Sequence, residues 1–339
     1  MNKKIWVDIT NTPQVHFLLG IYNSLKNDNY DFEFSCREFA ETSKLLSQKI
    51  DKPFLKIGEH YGKSKIKKVL GTFVRFGKFL NEQIDYDISI SCGSEIAVFA
   101  SKIRNKKSIA FGDNDKARQW TYGYFVDYAF FPNAISKDIF FNQGIGKEKL
   151  YQYNGYKEDI YIADYIPDNS FVDGLPFSNY ILLRPENLQA NYVTKGAKTI
   201  VPELLKMLSE KGINILYIPR YDIDHQYAKE INNIYMPEDP VNGLDACYYA
   251  DVVLTGAGTF AREAACLGVP AVSFYAGKEL LAVDKKMIND GWIFFSRNPD
   301  DIVQHIQKAK RRDSNINRSK SVKKEVIDKL TTVIEDLIG

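Results

Sequence analysis

The chain has 339 residues, with 45 lysines and arginines against 43 aspartates and glutamates, a formal net charge of +2. Such a balance argues against a protein that wraps nucleic acid, and leaves open only a local basic patch. The length suits two domains better than one, and an apolar share of 45% gives each a core.

The first apolar, β-branched run, at 5–9, predicts a buried parallel strand. Thr12 and Pro13 then supply an N-cap and an N1 proline, so a helix is expected from there to about Lys26. A strand at 31–36, a helix at 39–48 and a short strand at 53–57 follow. A loop at 60–68 leads into a helix ending near Asn81. Then come a strand at 86–91, a helix at 95–103, a strand at 107–111 and, as the last of this half, a strand at 128–131.

The alternation resumes with a strand at 180–183 and a helix at 197–211 opened by Gly196. Strands at 214–219, 252–255 and 271–275 alternate with helices at 222–232 and 259–267, and a final helix spans 320–337. Strand–helix alternation at this spacing implies parallel sheets with right-handed crossovers. The segment 164–178 holds Pro167, Gly174, Pro176 and several aspartates, and reads as an interdomain linker. The expected domains are therefore 1–163 and 179–319, with the C-terminal helix 320–339 packing back on the first. Cys36, Cys92, Cys247 and Cys266 lie far apart in apolar surroundings, as buried free thiols of a reducing compartment would. The N-terminus turns acidic too soon for a signal peptide, and no apolar run reaches the ~18 residues of a membrane span. A cytoplasmic location follows as an expectation.

Candidate chemistry lies on loops after strands, the carboxyl edge at which α/β proteins bind ligands. The most specific string runs from Thr255 through Gly256, Ala257, Gly258 and Thr259 to Glu263, and on to Gly268 and Pro270. Small residues let the backbone approach a ligand, and the free N–H groups of a helix start attract an anion such as diphosphate. Glu263, one turn further, is placed for ribose hydroxyls. A plain strand–turn–helix connection shares the turn but not the whole string.

In the first half, Asn11 and Thr12 follow the first strand, and His16 falls near the first turn of the next helix. A helix N-terminus disfavours imidazolium and so suits a neutral base, although a histidine packed between helix and sheet reads the same way. Gly62, Lys63 and Ser64 form a loop able to hold an anionic or hydroxylated ligand, without Walker A spacing; a loop of no special chemistry is the alternative. Asp113 and Asn114 suit sugar hydroxyls or simple turn capping. Arg184 and Glu186 open the second half's first loop, where the guanidinium suits phosphate oxygens, and Arg220 occupies an equivalent edge; salt bridges are the alternative for either arginine. His60, His225 and His305 lack paired ligand spacing, so neither a metal nor a cofactor is expected.

These motifs resemble an uncharacterised family of archaeal and bacterial proteins in the GT-B glycosyltransferase superfamily. The cues are Val-Asp-Ile-Thr-Asn-Thr-Pro-Gln-Val-His-Phe at 7–17, Gly-Glu-His-Tyr-Gly-Lys-Ser at 58–64, Gly-Asp-Asn at 112–114, Tyr-Asn-Gly-Tyr-Lys-Glu at 153–158 and Arg-Pro-Glu at 184–186. The resemblance implies an α/β fold of two Rossmann-like domains whose parallel sheets face an interdomain cleft.

Two better-understood relatives bracket the activity. The chain is similar to the lipid II-forming GlcNAc transferase at His16, at Asp113-Asn114, at Tyr153-Asn154-Gly155 and at the ribose-binding Glu263. It departs in both glycine-rich loops, which are replaced by Thr10-Asn11-Thr12-Pro13 and by Arg184-Pro185-Glu186. It also resembles the non-hydrolysing UDP-GlcNAc 2-epimerase at 184–187 and 257–270. There, however, Leu183 stands for a catalytic histidine, Thr259 for a phosphate-turn glycine and Arg262 for a glutamate.

The expected function is inverting glycosyl transfer from a nucleotide-sugar, a UDP-sugar by resemblance, to a glycan or lipid-linked acceptor in cell-surface polysaccharide or glycoconjugate synthesis. Arg184, Glu186, Thr255, Gly256, Gly258, Thr259 and Glu263 hold the donor. His16 is the base, and Asn11, Thr12, Gly62, Lys63, Ser64, Asp113 and Asn114 are acceptor-side candidates. An epimerase or hydrolase, or a non-catalytic nucleotide-sugar-binding scaffold, are the alternatives. The apolar helix before Asn81, with interleaved basic residues, would allow peripheral contact with the inner membrane face, as would any half-buried amphipathic helix.

Overall fold

The computed structural model describes residues 2–26, 29–38, 42–59, 65–82, 84–189, 193, 196–229, 231–312 and 315–339. The chain divides into two compact units, one of Met1–Asp164 with Lys320–Gly339 and one of Tyr165–Ser319.

In unit 1, the described strands are β1 (Lys3–Ile9), β2 (Tyr30–Glu38), β3 (Phe54–Glu59), β4 (Ile88–Ser91), β5 (Lys107–Phe111), β6 (Tyr128–Pro132) and β7 (Leu150–Tyr153). They form one parallel sheet in the order β3-β2-β1-β4-β5-β6-β7. The helices between them are α1 (Thr12–Leu25), α2 (Thr42–Ser47), α3 (Lys65–Asn81), α4 (Glu95–Ile103), α5 (Lys137–Phe141) and α6 (Lys157–Ile162). Chain order reverses between β1 and β4, which opens a crevice beyond their carboxyl ends.

In unit 2, short α7 (Ser170–Asp173) precedes β8 (Ile181–Arg184), α8 (Val201–Glu210), β9 (Ile215–Tyr217), α9 (Asp222–Tyr227), β10 (Ile234–Tyr235) and α10 (Gly243–Tyr248). Then come β11 (Val252–Thr255), α11 (Gly258–Leu267), β12 (Ala271–Ser273), α12 (Ala282–Asn289), β13 (Ile293–Phe295), α13 (Pro299–Ile306) and α14 (Ile316–Ile338). This second sheet is also parallel, ordered β10-β9-β8-β11-β12-β13, with its switch point between β8 and β11. Its core joins Leu183, Leu204, Leu205, Leu208, Tyr217, Leu254 and Phe274, all fully buried. From Lys320 onward α14 belongs to unit 1, where Val322 closes on Gly155 and the Tyr151 hydroxyl donates to Glu325.

Several expectations change. Strands β7, β10 and β13 and helices α5, α6, α7, α10, α12 and α13 are not anticipated, because two to eight residues carry too little periodicity to be read. Helix α8 starts at Val201, behind Pro202, and not at Ala197; α9 stops at Tyr227. The residue capping α1 is Asn11, not Thr12, and Pro13 lies in the first turn. Residues 39–41, where a helix was expected to begin, lie outside the described residues. The supposed linker is packed rather than free. Tyr165 donates to Asp245, as does the backbone N–H of Asp168 at 3.1 Å, and Phe171 stacks on Tyr249. Cys36, Cys247 and Cys266 are buried, whereas Cys92 is only partly so at the residue level. Among the described residues no helix is long and apolar enough to cross a membrane.

Unit 1 is organised around Asp8, fully buried near the end of β1. Its Oδ1 accepts from Ser35 of β2 at 2.7 Å and from Arg75 of α3 at 2.8 Å; its Oδ2 accepts from Ser94, the N-cap of α4, at 2.5 Å. Arg75 also donates to the Ile57 carbonyl at 2.9 Å, and its stem fills the space beside Gly58, where a Cβ would come within 2.7 Å. Removing one partner of such a pair leaves a buried charge uncompensated, which costs about 3–5 kcal/mol. Arg75→Met is therefore expected to lower the unfolding free energy of unit 1, read from urea titration, by that much; a change under about 1 kcal/mol would show that the pair contributes little.

Candidate functional site

In unit 2 the candidate residues gather at the switch point. Arg184 ends β8, and Gly256 follows β11 and donates to the Arg184 carbonyl at 3.1 Å. A side chain at Gly256 would meet the Glu186 Cα at 2.5 Å, so only glycine lets the two loops lie this close. The fully buried Thr255 hydroxyl accepts from the Ala257 N–H at 2.9 Å and shapes the turn. Helix α11 then opens at Gly258 with no side-chain cap from Ala257, and the amides of its first turn, including that of Thr259, have no acceptor within the helix.

The Arg184 guanidinium lies 4.7 Å above the Phe260 ring, which fixes its plane beside that helix start. Glu263 is buried further along α11. Burial, and then Glu263, hold the Cys247 thiol of α10 well above its ordinary value, with Arg184 opposing. Arg184 and Glu263 thus share one neighbourhood around Cys247. Arg262 pairs with Asp284 of α12 at 2.8 Å, its guanidinium beside Gly258 at the start of α11.

Glu186 departs from its expected role as a donor contact. Its carboxylate is 3% exposed, accepts from the Thr199 hydroxyl at 2.8 Å and the Ile200 N–H at 3.3 Å, and pairs with Arg297 at 3.2 Å. Because α8 starts late, the loop before it needs an internal acceptor, and Glu186 anchors that loop. Arg220 lies one strand over, its backbone N–H held by Asp224 at 2.9 Å.

In unit 1 the switch point holds a cavity of about 370 Å³. Asn11 and Gln14 approach from the start of α1, Cys92 and Gly93 from the end of β4, and Asp113 and Asn114 from the loop after β5. The Gln14 amide accepts from Thr10 N–H at 2.9 Å and donates to the Cys92 carbonyl at 3.3 Å, locking the two loops together. Burial pushes the Cys92 thiol up to about 12, with Lys157 opposing and Asp113 reinforcing, so it is neutral at pH 7.

Lys157, at the start of α6, pairs with Asp113 at 2.8 Å on the cavity wall. Sequence reasoning missed Lys157, Gln119 and, in unit 2, Phe260. Nothing in local periodicity marks Lys157 or Phe260, whose partners Asp113 and Arg184 lie far away along the chain, or shows that Gln119 lines a cavity. Thr12 does not reach the cavity: its hydroxyl meets that of Thr42 at 3.0 Å. Gly62, Lys63 and Ser64 lie outside the described residues.

His16 also stands apart from the cavity. Two residues beyond Gln14, it is about 200° further round the α1 axis. Its ring lies 5.9 Å from that of Tyr161 on α6. Burial, then the nearby Lys49, pulls its imidazole down to about 4, so it is neutral at pH 7.

Two parallel sheets of this order, each with its candidate residues at the switch point, define an α/β fold of the GT-B type, and solved structures share it. A UDP-GlcNAc 2-epimerase from Neisseria meningitidis, bound to UDP-GlcNAc, matches 97% of this chain and 100% of its own with a TM-score of 0.73 at 12% identity. The UDP-GlcNAc 2-epimerase of Methanocaldococcus jannaschii matches 97% and 99% with a TM-score of 0.69 at 15% identity. A glycotransferase of kitacinnamycin matches 100% of both chains with a TM-score of 0.67 at 10% identity. The chain belongs to the protein family of unknown function DUF354, whose model matches residues 3–338. An uncharacterised protein of Methanocaldococcus jannaschii is 23% identical over 336 residues, 91% of this chain and 92% of that protein.

The depressed His16 value has a consequence for stability. Between pH 6.5 and about 4 the native state binds fewer protons at this ring than the unfolded chain does. The contribution of the neutral ring is thus complete above pH 6.5 and is lost as pH falls toward 4. The melting temperature of wild type should fall more steeply across that window than that of His16→Gln; parallel curves would mean that His16 titrates normally.

Proposed function

We propose that the protein transfers a sugar from a nucleotide-sugar, specifically a UDP-sugar, to an acceptor hydroxyl. The observation that carries this reading is the convergence of Arg184 on Phe260, beside the uncapped α11 N-terminus with Glu263 in the same neighbourhood. A diphosphate meets the amides of Gly258 and Thr259 and the Arg184 guanidinium, and Glu263 takes the ribose hydroxyls. As the acceptor oxygen attacks the anomeric carbon, the bond to the diphosphate breaks, and those same groups stabilise the departing charge. The fold shared with epimerases, one of them bound to UDP-GlcNAc, supports a uridine nucleotide. Leu183, apolar and fully buried just before Arg184 in β8, supports transfer over epimerisation, since it offers no proton-transfer group there. The acceptor is proposed to be a glycan or a lipid-linked sugar, used in the cytoplasm or at the inner membrane face for polysaccharide synthesis.

The acceptor proton is proposed to pass to His16, which is neutral at working pH. A second reading gives this role to Asp113, which lines the unit 1 cavity whereas His16 does not.

Isothermal titration with UDP tests the donor site. Arg184→Ala and Glu263→Ala should each weaken binding about tenfold or more, the loss of a charge-assisted contact. No binding of UDP or any other nucleoside diphosphate would end the nucleotide-sugar reading. For the proton, the variant that lowers kcat by about a hundredfold or more at unchanged UDP affinity identifies the base. If His16→Gln and Asp113→Asn both retain full kcat, neither residue is the base. Donor consumed without any acceptor would indicate an epimerase or hydrolase.

A further inference from the structure

We infer that the unit 1 cavity is a binding site for an uncharged pyranose. At about 370 Å³ it lies toward the lower end of the range of small-molecule sites, about 300–1,000 Å³, and so admits one substituted ring rather than a stretch of polymer.

Its charges select against an anion. Glu95 and Asp113 on the wall are balanced by Arg118 and Lys157. The most enclosed cation, Lys157, is 10% exposed and already held by Asp113, itself 17% exposed, at 2.8 Å. A carboxylate or phosphate entering here would compete with Asp113 for the ammonium and meet two negative groups. A hydroxyl avoids both costs, because it accepts from the ammonium and donates to the carboxylate while the pair stays intact.

The amides point to the same chemistry. Gln119 is 2% exposed, and its Nε2 donates to the Asn114 carbonyl at 2.8 Å. That bond settles which end of the amide is which, since a carbonyl can only accept. The remaining Oε1 has no hydrogen-bond partner among the described residues. That oxygen is the amide's remaining acceptor, on a residue that lines the cavity. Asn114 is bound through its side-chain oxygen to the Lys116 N–H at 2.8 Å, which leaves its NH₂ for a ligand acceptor. Phe111, Phe131 and Tyr122 supply apolar wall for the C–H face of a ring. Donors, acceptors and an apolar face without net charge match a sugar ring better than a nucleobase, which offers few hydroxyl donors, or a phosphate.

The pyranose assignment stands on unit 1 alone. Whether the ring is the acceptor or the sugar of the donor rests on the transferase reading above, and the experiment separates the two. Saturation-transfer NMR is run on wild type with glucose, GlcNAc, glucuronate, inorganic phosphate and uridine, each at about 10 mM, enough to fill most sites of millimolar Kd. A neutral hexose should bind, and Lys157→Met and Gln119→Ala should weaken it at least tenfold. Asn114→Ala, at an exposed position, gives the same readout should the buried variants fail to fold.

Titration of the same variants with UDP and UDP-GlcNAc identifies the source. Loss of UDP-GlcNAc affinity at unchanged UDP affinity means the donor's sugar. Loss of the free hexose alone means the acceptor. Binding of glucuronate or phosphate in preference to neutral sugars, hexose binding unaffected by the variants, or no hexose binding at all overturns the inference. If UDP still binds in that last case, the donor reading survives without it. Hexose binding without nucleotide binding would leave the cavity assignment standing and remove the donor reading.

Discussion

Asp8 of unit 1 carries a charge that is sealed from water and must be fully answered. A buried carboxylate is tolerable only when ion-paired and hydrogen-bonded, and here the answer comes from β2, α3 and α4 together: Ser35, Arg75 and Ser94. That demand fixes how α3 and α4 meet the carboxyl end of the sheet. Ser94 in turn caps α4 by accepting from the Ala97 N–H at 3.3 Å, so the start of α4, beside the cavity, is set by the same carboxylate.

Unit 2 solves a related problem with Glu186. Its carboxylate, just past the first strand of that sheet, ties together the approach to α8 and Arg297 beyond β13. The backbone of Glu186 sits against Gly256, which holds the phosphate-type turn close to Arg184. In both units a buried acid is spent on geometry. The groups left for a ligand are the ones this geometry positions: Arg184 over Phe260 in one unit, Lys157 with Asp113 in the other.

This division also bears on proton transfer. A histidine near a helix N-terminus invites the role of base, and burial does keep His16 neutral. Yet Gln14 and His16 lie on different faces of α1, and it is Gln14 that reaches the cavity. A pattern with a period near 3.6 residues cannot reveal which face meets the ligand until the helix is docked on its sheet.

Much of the architecture was legible in the chain itself. Buried parallel strands read as apolar β-branched runs, and β11 falls on the expected residues because burial on both faces leaves little room for polar interruption; α4 and β5 also fall where expected. The Thr255–Glu263 string was legible too, since a strand, a small-residue turn and a helix start are local features. Local sequence thus determined the parallel α/β class and which loops lie at the ligand edge. Only the tertiary structure decided what those loops do. The pairing of Lys157 with Asp113, the burial of Glu186 and the turning of His16 away from the cavity all depend on contacts between residues distant in sequence. Electrostatics and hydrogen bonding act through space, and the chain order of two residues says nothing of that distance until the sheet has formed.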